Sequence, residues 1–282
     1  MGKYQDITKN ILWGSLGKDT VAAKVGLSLV PVGILPFQPL PPQPNGLPAS
    51  FLNESNLEQW LMNIVGTAIQ AGDGKLVTCA HVVEELIKQK RKGYILTRFK
   101  RDGTVICIPY PIYSALRYVD PRTDEVNPNV DMAVLIVPAK STKEIPYETP
   151  NVCWGDSSRL GVGDQVVLGG YPYGKQMFLF TQSNRGIVQP TFYSGIVSAI
   201  LPATKPYETR IIQVSIPCGG GMSGGALFDA NTGDVMGMVT SGVNIADENI
   251  DVPLPMTYAL PSEIIAPFAE VIRFERAKDK PQ

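Results

Sequence analysis

From Ile64 onward the chain reads as short apolar runs in which alternate positions are polar. These runs are broken every few residues by Gly, Pro, Asn or Asp. A two-residue period of this kind marks half-buried strands rather than helices. The pattern predicts strands at Ile64 to Gln70, Lys75 to Cys79, Tyr94 to Lys100, Thr104 to Tyr110, Asp131 to Val137, Gln165 to Leu168 and Met177 to Phe180. It continues with Phe192 to Ile200, Arg210 to Val214, Gly225 to Phe228, Val235 to Ser241 and Met256 to Leu260. Between the first two lies Ala71-Gly72-Asp73-Gly74, and Asp-Gly tolerates the positive φ angles that a tight hairpin needs. Many short strands joined by tight turns predict an all-β chain built as barrels or a sandwich.

Two segments carry a helical period instead. Ser55, with Glu58 three residues on, predicts a capped helix start, and Leu57, Trp60 and Leu61 share one face. Near the end Phe268, Val271 and Ile272 fall at i, i+3 and i+4, with Pro267 read as the first helical residue, which predicts a terminal helix folded back on the body. Residues 31–48 hold seven prolines, a density that favours an extended polyproline-like segment over a helix or an inner strand. Residues 1–52 therefore read as a Pro-rich arm. Its PxxP spacings suit an SH3-like groove, but a spacer or a strap packed on the body is the favoured role. No internal repeat is evident.

Composition narrows the classes. The chain has 282 residues, 44% hydrophobic and 18% charged, which excludes disordered and collagen-like chains. Twenty-five basic against 26 acidic residues leave a net charge of -1, so no global field gathers nucleic acid or anionic lipid. The apolar stretch Val21 to Phe37 contains Lys24, Pro31 and Pro36 and does not read as a membrane span. Gln5, Asp6, Lys9, Lys18 and Asp19 precede it, unlike a signal peptide, and Asp6 stands where a myristoylation site has Ser or Thr. Cys79, Cys107, Cys153 and Cys218 are scattered without a CxxC pair, which suggests neither a disulfide framework nor a zinc site. Reduced thiols in the cytoplasm are the expectation. Lys88, Lys90, Arg91, Lys92, Arg98, Lys100 and Arg101 form one basic cluster, read as a solvated hairpin face rather than a nucleic-acid site.

Three segments carry chemistry. His81, the one histidine of the chain, follows the apolar run Leu76-Val77-Thr78-Cys79-Ala80. Asp131 directly precedes Met132-Ala133-Val134-Leu135-Ile136-Val137, which places a carboxylate at the mouth of a buried strand. Ser223 lies in Gly219-Gly220-Gly221-Met222-Ser223-Gly224-Gly225-Ala226, where glycines permit a sharp turn and free backbone N–H groups. Singly, each has a bland reading: an incidental histidine, a strand-end turn residue, a flexible loop or anion nest.

Together, in the order His, Asp, Ser and spaced by 50 and 92 residues, they resemble the trypsin-like serine protease family. The likeness runs over about residues 60–262 and is nearest to the HtrA/Deg branch, through Gly155-Asp156-Ser157, Gly163-Asp164, Gly170-Tyr171-Pro172-Tyr173-Gly174 and Ser194-Gly195-Ile196-Val197-Ser198. The resemblance implies two six-stranded antiparallel Greek-key β-barrels of chymotrypsin-like form. These would be an N-terminal barrel over 53–140 with His81 and Asp131, and a C-terminal barrel over 141–262 with Ser223. An arm at 1–52 and a helix and tail at 263–282 complete the division.

It further implies Ser223 as nucleophile, His81 as general base and then acid, Asp131 as the group orienting His81, and the N–H groups of Gly221 and Ser223 as oxyanion hole. No metal or organic cofactor is implied. Thr240-Ser241-Gly242 would pair with substrate backbone, and Pro217 and Cys218 would lie near the base of the S1 pocket. The absence of an acid in these segments predicts a small or medium apolar P1 residue. Met222 stands where processed relatives carry an Asp that pairs with a new N-terminus, Val82 stands where they have a Cys, and no PDZ domain is expected in the residues after Leu260. The expected partners are a protein or peptide substrate and a regulatory protein acting through loop ordering. A catalytically silent protease-fold binding module and an esterase-like hydrolase are the alternatives.

Overall fold

The hairpin at Asp73-Gly74 forms as its sequence requires. β2 (Asn63–Gly72) turns into β3 (Lys75–Thr78) through Asp73 at φ 50° and Gly74 at φ 75°, the paired positive angles of a twist-compatible two-residue turn. The computed structural model describes residues 25–35, 62–101, 104–120, 125–127, 130–137, 152–174, 189–202, 209–247 and 250–271. The helix expected around Ser55 to Leu61, the strand at Met177 to Phe180 and most of the Pro-rich segment lie outside them.

The start of that Pro-rich segment requires a correction. Residues Leu29–Ile34 form β1, an inner strand that pairs antiparallel with β2 and, from Val32 on, with β4 (Gly93–Arg101). All six residues are buried. Pro31 lies one residue before pairing with β4 begins, where β1 has a neighbour on one side only, a position that tolerates a missing N–H. Magnitudes favour the strand. A lost backbone hydrogen bond costs about 1 kcal/mol, whereas burying Leu29, Val30, Val32 and Ile34 contributes roughly 1.5–3 kcal/mol for each large side chain.

β3 is followed by α1 (Ala80–Lys88), whose Ala80, Val82, Val83 and Leu86 are buried at helical spacing and whose Lys88 sits in the last turn, where a cation is favoured. Its outer side is solvated. Lys88, Lys90, Arg91 and Lys92 are exposed, with Lys88 3.9 Å from Glu85, so this part of the basic cluster lies on a helix end and turn rather than a hairpin. β5 (Thr104–Pro111), β6 (Ser114–Arg117) and β9 (Ala133–Ile136) complete a sheet ordered β5-β4-β1-β2-β3-β9-β6, and the short β7 (Val119–Asp120) and β8 (Glu125–Val126) pair separately.

The expected six-stranded first barrel is thus a curled sheet of seven strands. Its two edges, β5 and β6, are consecutive in the chain. At the corner between them the Ile112 N–H bonds to the Gly93 carbonyl and the Tyr113 N–H to the Ile136 carbonyl.

The second unit is a closed six-stranded barrel in the order β10-β11-β12-β15-β14-β13. Its strands are β10 (Gln165–Gly170), β11 (Thr191–Leu201), β12 (Ile211–Val214), β13 (Ala226–Asp229), β14 (Val235–Asp247) and β15 (Ile250–Pro261). The architecture is all-β in the chymotrypsin-like sense. The first core continues across the boundary into this barrel through Tyr171, Phe228, Met238 and Leu260.

The terminal helix α2 spans Ser262–Val271, so Pro267 is interior rather than first. The proline forgoes a bond to the Glu263 carbonyl early in the helix, and burial of Ile265 and Ala269 outweighs that loss. This helix is fastened to both units. Lys75 Nζ caps the Ala269 carbonyl at 2.7 Å and Phe268 meets Tyr118 edge-on, while Glu263 pairs with Arg210 at 2.5 Å and also accepts from the buried Ser157 hydroxyl. Among the described residues no helix is long and apolar enough to cross a membrane.

Candidate active site

β3 ends at Thr78, Cys79 is extended, and α1 begins at Ala80, so His81 is a helical residue rather than a strand end. Val82 turns inward while the His81 side chain stays 47% exposed. Two residues before β9, Asp131 approaches it twice. Oδ1 accepts the His81 backbone N–H at 3.0 Å, and Oδ2 lies 2.7 Å from Nδ1.

An ionised carboxylate only accepts, so Nδ1 carries the proton and Nε2 is left as the basic nitrogen. That hydrogen bond raises the His81 pKa above its ordinary 6.5. Partial burial opposes the shift, and the negative charges of Asp131 and Glu84 add to it. Burial pushes Asp131 up, but hydrogen bonds from the His81 ring, the His81 N–H and the Ala80 N–H, with the imidazole charge, hold it below the usual carboxylate range.

The Ser223 loop is a pair of tight turns. Met222 N–H bonds to the Gly219 carbonyl and Gly225 N–H to the Met222 carbonyl, with Gly221 at φ 93° and Gly224 at φ 83°. A side chain at Gly224 would meet the Thr67 carbonyl oxygen at 2.0 Å. Thr67, fully buried in β2, clamps the loop from the other unit. Its N–H donates to the Ser223 carbonyl at 2.8 Å, its Oγ1 donates to the Gly221 carbonyl at 2.8 Å, and the same oxygen accepts the Tyr171 N–H at 3.0 Å.

From the turn after β10, the Tyr173 N–H donates to the Gly220 carbonyl at 2.5 Å, and the Tyr173 ring packs on Gly219. A planar trans peptide then points the Gly221 N–H away from Tyr173. Among the described residues the N–H groups of Gly221 and Ser223 meet no acceptor.

Both halves of the site converge on adjacent residues of β14. The Cys79 thiol donates to the Val239 carbonyl at 3.1 Å, and Ser223 Oγ donates to the Thr240 carbonyl at 3.4 Å. The Val239 carbonyl also accepts the Gly224 N–H at 2.8 Å. Thr240 is turned inward with its hydroxyl on the Tyr258 carbonyl, and Ser241 and Gly242 are exposed on the strand. Cys218 and Gly242 touch, since a side chain at Gly242 would meet Cys218 Cβ at 2.7 Å. Burial lifts the Cys218 thiol to about 11. Pro217, beside it, is exposed.

Sequence reasoning named His81, Asp131, Ser223 and the glycine loop, and overlooked Thr67, Cys79 and Tyr173. The one signal for Thr67 is a polar residue between Gly66 and Ala68 in an apolar strand. Cys79 carries no local signal, and Tyr173 stands in the Gly170–Gly174 segment that carried the resemblance, without a role assigned to it.

Comparison with known proteins places the chain in a family. The trypsin-like peptidase domain family matches residues 66–238. A probable periplasmic serine endoprotease, DegP-like, of Brucella suis is 32% identical over 171 residues, which is 60% of this chain and 26% of that protein. The serine protease Do-like HtrB of Bacillus subtilis is 26% identical over 153 residues, 54% of this chain and 29% of that one. The chain therefore spans under a third of the length of these curated relatives. Among solved structures, the HtrA-type protease AlgW with decapeptide superposes with a TM-score of 0.55 at 20% identity, over 90% of this chain and 67% of the other.

Proposed function

Because the chain belongs to the trypsin-like peptidase family and is homologous to HtrA-type serine proteases, we propose that it is a serine endopeptidase working through an acyl-enzyme. The reading rests on one observation above all, the Asp131 carboxylate that orients the sole histidine through Nδ1 and leaves Nε2 basic. In this mechanism the Ser223 hydroxyl leaves the Thr240 carbonyl, gives its proton to His81 Nε2 and attacks the scissile carbonyl. Asp131 stabilises the imidazolium that forms. The N–H groups of Gly221 and Ser223 receive the developing oxyanion, each donor stabilising the transition state by about 3 kcal/mol. His81 then gives its proton to the leaving amine, and a water deprotonated by the same nitrogen releases the acyl group.

Substrate adds as an extended strand along Thr240-Ser241-Gly242, with Pro217 and Cys218 at the P1 pocket. The decapeptide held by AlgW supports a peptide as the ligand class. A fluorophosphonate probe tests the nucleophile: stoichiometric labelling that vanishes in Ser223→Ala supports it, and no labelling of folded protein under any condition overturns it.

Two further outcomes follow from the same geometry. His81 acts only when neutral, and its pKa is raised, so kcat/KM falls as pH drops through that raised value. The acid limb of the profile is expected with its midpoint above 6.5. A midpoint at or below 6.5 on a good substrate argues against the His81–Asp131 pairing. At P1, a peptide library is expected to show Ala, Val or Leu ahead of Lys and Arg, and a profile led by basic residues directs attention to the acids of residues 247–251 instead.

Regulation, in this proposal, acts on the Gly219–Gly221 loop through the Tyr171–Gly174 turn on which it rests. Tyr173 holds a left-handed φ of 55°, a strained state for a non-glycine residue. A partner that displaces the turn frees the Gly220–Gly221 peptide to flip and withdraw one oxyanion donor. A cytoplasmic location is also part of the proposal. It rests on the unpaired thiols of Cys79, Cys153 and Cys218, whereas the Brucella relative is described as periplasmic, and cell fractionation decides between the two.

A further inference from the structure

We propose that Cys79, His81 and Asp131 form an inhibitory site for one thiophilic divalent cation of the zinc or cadmium kind. The sulfur of Cys79, a ring nitrogen of His81 and a carboxylate oxygen of Asp131 all lie within 4.8 Å of one another, and no other trio of such donors occurs among the described residues; Nδ1 is the ring nitrogen beside the carboxylate, 2.7 Å from Oδ2. A tetrahedral ion with bonds of about 2.0–2.3 Å holds its donors roughly 3.2–3.8 Å apart. Capture therefore asks the sulfur to close by at most about 1 Å, and the 2.7 Å Nδ1–Oδ2 pair to open by roughly 0.6 Å. The first movement breaks the thiol's bond to the Val239 carbonyl.

The site is open on one side. The His81 and Asp131 side chains are 47% and 33% exposed, while Cys79 forms a fully buried floor. Donor chemistry selects the ion, because a thiolate with an imidazole suits zinc and its soft relatives and disfavours magnesium or calcium. Charge favours it as well: a dication with one thiolate and one carboxylate is neutral overall, the form that a partly buried pocket accepts at least cost. Without an ion, burial and the nearby Asp131 keep the thiol protonated, so Cys79 does not compete as a nucleophile.

Binding balances simply. The thiol proton passes to water, bonds form from the ion to sulfur, Nδ1 and carboxylate oxygen, and the Nδ1 proton is re-placed on Nε2 by exchange with solvent. His81 then has no lone pair at Nε2 for the Ser223 proton, so the ion silences the enzyme without touching the nucleophile. The inhibition half of the proposal rests on the peptidase reading; the binding half does not.

Cadmium titration of the whole chain tests both halves. The expected result is one ion per chain with a sulfur-to-metal charge-transfer band, and parallel loss of peptidase activity that a chelator reverses. Cys79→Ala removes a direct ligand and should weaken binding and inhibition by more than the roughly 10- to 100-fold that loss of an outer partner costs, while Cys153→Ala, which removes the exposed thiol, leaves both unchanged. Because His81 is the only histidine, its ring nitrogens give unambiguous signals, and with isotopically labelled cadmium the metal should couple to Nδ1 and not Nε2. That readout needs no variant and no activity.

Coupling to Nε2 or to neither nitrogen overturns the site, as does a band that survives in Cys79→Ala. Coupling at Nδ1 in a chain that hydrolyses no peptide keeps the metal site and removes the peptidase reading instead.

Discussion

Ser223→Ala and His81→Ala are each expected to lower kcat/KM by about a million-fold, and the double variant to be no worse than either alone. Nucleophile and base act as one unit, so removing one leaves the other without a task, and the residual rate comes from the oxyanion donors and substrate binding. No other imidazole can compensate, because the chain has no second histidine. Neither change should unfold the protein. The Ser223 hydroxyl makes one long bond, 3.4 Å to the Thr240 carbonyl, and the His81 ring is half exposed. Steady-state kinetics with a thermal melt on each variant decides the matter. Near-normal turnover by folded His81→Ala would falsify the assignment of the base.

Asp131→Asn should cost about 10⁴-fold in kcat, and the structure explains why an almost isosteric change is so damaging. Oδ1 is anchored by the His81 backbone N–H at 3.0 Å, so the asparagine oxygen keeps that place and the new NH₂ replaces Oδ2, facing Nδ1. A donor opposite Nδ1 requires that nitrogen to accept. The ring proton moves to Nε2, where a base is needed, and the imidazolium loses its countercharge. The variant should therefore bind substrate normally, with KM little changed, while kcat collapses and fluorophosphonate labelling slows in parallel. Equal loss in KM and kcat, or a loss below tenfold, contradicts the tautomer argument.

What could be read without coordinates followed the range of the interactions concerned. The hairpin at Asp73-Gly74 is local, and its backbone angles are those its residues prefer. His81, Asp131 and Ser223 were legible because each sits in a distinctive segment, although 50 and 92 residues separate them. β1 was misread because seven prolines argue locally for an extended arm, while the burial that makes Leu29–Ile34 an inner strand comes from β2 and β4 far along the chain. α1 was overlooked for a similar reason: Val82, Val83 and Leu86 continue an apolar strand pattern without a break.

Thr67 and Cys79 were beyond reach. Thr67 meets Gly221 across 154 residues and Cys79 meets Val239 across 160, contacts that exist only once the two units have closed. Cysteine spacing along the chain says nothing of which thiol lies beside His81 in space.

The clamp that Thr67 places on the serine loop sets a contrast in hydrogen–deuterium exchange. The amides of Thr67, Tyr171, Gly224 and Gly225 are held in bonds that tie the loop to both units or fold it on itself, and they lose their protons to solvent deuterium only when the structure opens. The amides of Gly221 and Ser223, on either side of the bonded Met222 amide, meet no acceptor among the described residues to slow them. The peptide groups proposed to hold the transition state are thus the fast-exchanging ones of the resting loop, and an occupant that mimics the tetrahedral intermediate converts them to slow ones. Isotope uptake at two glycine-flanked amides becomes a direct gauge of how fully the oxyanion site is filled.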